Sequence, residues 1–162
     1  MLWDKLRRRP RPDAEPNPPT IAASHPSSYS HEIELALIAA VYSAAGGEDE
    51  PAADPLTVRV VVDRWHRHRA GKPADSLSHI SSLDDHAFCR VLDDRTRLGG
   101  RPRSCVIQDA ADRLLEAGIS CAADLAADPL RASRQLEQVR GLEARAIGQL
   151  FQLLELPHST AA

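Results

Sequence analysis

The chain has 162 residues, enough for one domain with its own core, and its 43% hydrophobic share is ordinary for a globular protein. A net charge of −3 excludes binding of nucleic acid by bulk positive charge, although a local basic patch would still meet phosphate. Aromatic residues make up only 4%, so Leu, Ala, Val and Ile must fill the core.

Residues 1–28 hold six of the twelve prolines and almost no apolar periodicity, which predicts a disordered arm or linker. Its KLRRRPRP stretch reads first as a solvated tail and second as a contact for nucleic acid or acidic partners. No apolar run follows this positive start, so it is not a secretory signal, and nothing approaches the roughly 20 residues of a membrane span. Cys89, Cys105 and Cys121 form no CxxC pair and read as reduced, mostly buried thiols. The chain is therefore expected in the cytoplasm, with no membrane contact.

From His31 onward helical periodicity begins. Ile33, Ala36, Leu37, Ala40, Val41 and Ala44 share one stripe, and Leu35, Ile38 and Tyr42 add a second, so this helix should sit centrally in the core. The acidic GGEDEPAADP ends it and reads as a solvated loop. Asp54 then caps a helix with Pro55 at its first position; LTVRVVVDRWHRHRA has strand-like valines, yet its unbroken length up to Gly71 favours a helix. Ser82 to Asp85 offers an S-x-x-D start for a helix carrying Phe88 and Leu92. RTRLGGRPR reads as a loop, followed by a helix with Ile107, Ala110, Ala111 and Leu114, closed by Gly118. Ser120 opens a short helix, Asp128 and Pro129 another, and residues 144–155 form the last, with Ile147, Leu150, Phe151 and Leu154 on one face. The expected fold is all-α, about seven helices in one domain over 29–157, ahead of a short tail at 158–162.

QLEQVRGLEARAIGQLFQLL places a tight turn at Gly141 between two helices. This stretch, with RLGGRPRS and HEIELALIAAVYSAAGG, resembles the helix-hairpin-helix DNA glycosylases, the endonuclease III-like superfamily. The resemblance covers residues 31–157 loosely and 97–157 better, by pattern more than by identity. The family's hydrophobic–Pro–Gly–hydrophobic–Gly motif falls on Val139, Arg140, Gly141, Leu142 and Glu143. Such a hairpin presents backbone N–H groups at the positive end of a helix, where a DNA phosphate can dock without regard to base. The resemblance thus implies double-stranded DNA as a partner, with Arg140 and Gly141 at the phosphate and Arg101, Arg103 and Arg145 flanking. Glu143 departs from the pattern, because its carboxylate repels phosphate and offers itself as a cap.

The family's Schiff-base lysine position falls on Arg145, whose guanidinium stays protonated and cannot act as that nucleophile. Its aspartate would fall beyond Leu156, and no acid follows Glu155. No catalytic residue, metal ligand or cofactor is therefore assigned. His66 and His68 lie two apart and face differently on a helix, and no Walker loop or G-x-S-x-G occurs. Three roles stay open: a non-catalytic DNA-binding domain, a protein–protein adaptor on a degenerate glycosylase-like fold, and a divergent glycosylase.

Overall fold

The structure, a computed structural model, describes residues 29–46 and 50–157. The expected arm at 1–28, the tip of the acidic loop at 47–49 and the tail at 158–162 lie outside the described residues. Among those described there are eight helices and one small hairpin, so the fold is all-α.

Helix α1 (Ile33–Ser43) has no solvent face: every residue from Ile33 to Tyr42 is buried. Helices α2 (Pro55–His68), α5 (Arg103–Glu116) and α8 (Ala144–Leu153) pack around it, as its double apolar stripe predicts. In α2 the valine run is helical. Asp54 Oδ1 accepts from Leu56 N at 2.9 Å and Thr57 N at 3.1 Å, and Val58, Val61, Val62 and Trp65 turn inward at helical spacing. Tertiary burial of that stripe outweighs the valines' strand preference.

Helix α3 (Ser78–Ser82) is a single turn that the sequence did not announce, buried through Ile80. It removes Ser82 from the expected capping role, because Ser82 is the last residue of α3. Asp84 caps α4 (Asp85–Leu92) instead, accepting from Ala87 N at 2.8 Å. Asp caps as well as Ser does, and Leu83, packed against the core between them, separates the two helices.

The RTRLGGRPR stretch is a hairpin rather than a loop. Strands β1 (Arg97–Leu98) and β2 (Arg101–Pro102) pair antiparallel, Arg97 opposite Pro102 and Leu98 opposite Arg101. Gly99 and Gly100 form the two-residue turn at φ +59° and +77°, the left-handed angles such a turn requires. Two-residue strands carry no readable alternation, hence the loop expectation.

Helix α5 is the second organiser and touches α1, α3, α4 and α7. Gly118, at φ +77°, closes it as expected. Helix α6 (Ala122–Ala127) begins two residues after Ser120, because Asp124 reaches back to the N–H groups of Ser120 and Cys121 at 2.9 and 3.2 Å. Asp128 caps α7 (Pro129–Leu136) as expected, accepting from Arg131 N at 3.0 Å. All three cysteines are free and partly exposed rather than mostly buried.

Candidate functional site

The turn between α7 and α8 is pinned by its apolar residues. Val139 and Leu142 are buried, and Leu142 N donates to Val139 O at 3.1 Å. Gly141 lies between them at φ +95°. Its backbone is pressed against the β-hairpin: a Cβ on Gly141 would stand 2.7 Å from Leu98 O, and one on Gly99 only 2.6 Å from Gly141 Cα. Gly46 joins the same contact, since its Cβ would fall 2.7 Å from Gly99 N. Three backbones distant in sequence therefore meet through glycines. The glycines were visible in the sequence, but nothing there revealed that they touch.

This junction sets the expected contact residues on unequal footings. Arg140 and Arg145 are exposed and have no side-chain partner among the described residues. Arg101 is half-buried, paired with Asp109 Oδ2 at 2.6 Å, and donates to Arg140 O at 3.4 Å, which ties the β-hairpin to the helical turn. Arg97, exposed, donates to Gly100 O at 2.9 Å. At the start of α8, Ala146 and Ile147 bond back to Glu143 O, while the N–H groups of Ala144 and Arg145 have no intrahelical acceptor. Glu143 occupies the N-cap position, exposed, and its carboxylate does not cap the helix.

Arg103 is the correction. It was expected on the surface beside phosphate, but it is 1% exposed. Its guanidinium points into the protein and donates to Val41 O, to Ala44 O at 2.9 Å and to Pro51 O at 3.0 Å, with its central carbon 5.6 Å from the Tyr42 ring. Val41 and Ala44 lie at the C-terminal end of α1, where the carbonyls run short of helical donors (Val41 O has only a 3.4 Å bond from Ala44 N) and carry the negative end of the helix dipole. Arg103 thus caps α1 from across the fold. Burial lowers its pKa from the usual range, against the raising influence of Tyr42, Asp94 and Glu50. Arginines on and just after α2 are paired as well: Arg64 with Asp93 at 3.4 Å, Arg69 with Glu34 at 3.1 Å, and Arg59 with Asp63 at 3.9 Å.

A second cluster, missed in the sequence, surrounds Glu34 at the start of α1. Its side chain is fully buried; Oε2 accepts from Trp65 Nε1 at 2.7 Å, and Oε1 has no hydrogen-bond partner. Trp65 is stacked by His68 at 5.2 Å and met edge-on by Phe88, also at 5.2 Å. Burial pushes the Glu34 carboxyl up to about 7, despite the opposing Trp65 bond and Arg69 charge. A carboxyl raised in the folded state stabilises fully below its unfolded value near 4.5, and that contribution is lost as pH rises through 7. The parent is therefore expected to lose on the order of 2 kcal/mol from this group between pH 5 and pH 8. His79, lowered by burial, acts in the opposite direction below pH 6.5, so the comparison needs Glu34→Gln. Denaturant midpoints at both pH values should fall less steeply in that variant; an unchanged pH dependence would remove Glu34 from the account.

On the flank of α5 lies an open groove of about 300 Å³ lined by Asp109, Asp112, Arg113 and Glu116. Among the described residues no helix is long and apolar enough to cross a membrane, and no group of His, Cys, Asp and Glu is arranged to hold a metal ion. No protein-family model, curated protein or solved structure matches the chain.

Proposed function

We propose that the chain is a non-catalytic, DNA-associated domain of the helix-hairpin-helix type, holding duplex DNA by its phosphate backbone. The observation that supports this reading is the Gly141 turn. A left-handed glycine, anchored by two buried residues, leads into a helix whose first N–H groups lack intrahelical acceptors, with Arg140 and Arg145 exposed beside it and without a side-chain partner among the described residues. Backbone N–H groups at a helix start, with adjacent arginines, suit a phosphate and carry no base preference. Arg101 serves as a partly neutralised flank, and Arg103 acts only by holding α1 in place.

A salt-dependent titration of duplex DNA tests the proposal. Affinity should fall about tenfold or more between 50 and 200 mM salt, and Arg140→Ala and Arg145→Ala should each flatten the log–log slope by about one. Glu143→Gly, which removes a like charge from the docking position, should raise affinity several-fold. A parent that binds no duplex at low salt, or a Glu143→Gly variant that binds no better, would sink the reading. The second reading is a protein–protein adaptor, favoured by the acidic α5 groove and the negative net charge. It expects Glu143→Gly to leave DNA binding undetectable and to alter local stability alone.

A further inference from the structure

The Gly99–Gly100 turn is already bound by an anion from within the chain. Both carboxylate oxygens of Glu50 accept from Gly100 N, at 3.0 and 3.2 Å. The Glu50 carbonyl accepts from Gly46 N at 2.7 Å, which holds the residue over the β-hairpin. Three features make this spot attractive to negative charge. The Gly100 N–H points at it. Arg97 and Arg101 flank the turn. The buried Arg103 cation follows β2 directly and, among the described residues, donates to neutral carbonyls, its charge felt by Tyr42, Asp94 and Glu50. The turn is open on the outer side of Gly100, where an added Cβ would meet nothing within 4 Å. The glycine contact between Gly99 and Gly141 fixes this turn against the helical one.

From this arrangement we infer that the Gly99–Gly100 turn is a second anion seat, filled in the free protein by the chain's own Glu50 and taken over by a backbone phosphate of duplex DNA. The inference rests on the DNA reading above and adds a built-in competitor to it. A phosphate brings more negative charge-assisted bonding capacity than one carboxylate and can engage Arg97 as well as the Gly100 N–H. Arg101 is shared with Asp109, so the seat is moderated on both sides in the free state.

The test uses Glu50→Gln in the full chain, because the amide keeps the shape and an acceptor for Gly100 N–H while the charge is removed. Its duplex affinity at low salt should exceed that of the parent about three- to tenfold, with a salt slope steeper by about one contact. In parallel, inorganic phosphate should shift the Gly100 amide resonance of the variant and leave that of the parent in place. Should Glu50→Gln melt, Glu50→Asp retains the charge near Arg103 but withdraws the carboxylate from Gly100 N–H, and should show the same changes in smaller measure. If the parent binds duplex and neither variant binds tighter nor shows the amide shift, the seat is overturned and the hairpin reading stands. If Gly100 responds to phosphate but neither protein binds duplex, the seat stands and the DNA reading falls. If neither response is seen, both are overturned.

Discussion

Arg103→Ala is expected to lower stability by about 4 kcal/mol, with a melting temperature down on the order of 10 °C. The substitution strips the guanidinium donors from Val41 O, Ala44 O and Pro51 O together, and Val41 O keeps only the long bond from Ala44 N at 3.4 Å. It also leaves a hole beside Tyr42, where the guanidinium lies over the ring. Carbonyls buried without a donor each cost roughly 1–3 kcal/mol, and some of that is recovered if water enters. Arg103→Lys should recover only part of the loss, since one ammonium on a flexible stem does not reproduce a planar fork aimed at separate carbonyls. Thermal and denaturant unfolding of the three proteins measure this directly. A surface contact for phosphate would give the opposite pattern, reduced DNA affinity with an unchanged melting temperature, and that result would reject the buried capping role.

The glycine junction supplies the other large effect, and it contains its own control. Gly99, Gly100 and Gly141 all adopt left-handed angles, so alanine at any of them carries backbone strain of about 1 kcal/mol. Only Gly99 and Gly141 also have a backbone atom inside contact distance, at 2.6 and 2.7 Å from the added Cβ. Backbone cannot rotate aside as a side chain does, so the β-hairpin and the helical turn would have to separate. Gly99→Ala and Gly141→Ala should therefore cost about 3 kcal/mol each, against about 1 kcal/mol for Gly100→Ala. Gly141→Val should cost more and should lower duplex binding as well. Because the two positions share one contact, the double variant Gly99→Ala/Gly141→Ala should cost less than the sum of the singles. Equal losses at all three glycines would mean that only the backbone angle counts and that the junction does not.

Local chemistry was enough to read most of the fold. Asp54 with Pro55, Asp128 with Pro129, and Gly118 mark helix ends by hydrogen bonds made within a few residues, and such signals survive in any tertiary context. The two apolar stripes of α1 told of its central position because a helix that is apolar on most sides has nowhere else to go. The Gly141 turn was legible for the same reason, as a left-handed residue between two apolar anchors. At Ser82 the expected cap was overturned because Asp84, two residues on, caps α4 instead, and where the signal is shorter than one period, as in α3 and the β-hairpin, it did not decide.

The tertiary structure alone decided the fate of the charges. In the sequence Arg101, Arg103, Arg140 and Arg145 are the same residue type in similar polar surroundings. In the fold Arg103 is buried on the end of α1, Arg101 is shared with Asp109, and Arg140 and Arg145 stay open to solvent. Glu34 and Glu50 divide likewise, one buried under Trp65 and the other placed on the Gly100 N–H. The physical reason is range. Caps and periodicity act between residues one to four apart and are written in the chain, whereas Arg103 meets Val41 across 62 positions and Glu50 meets Gly100 across 50. Which cation loses its water is set only when the helices close around it.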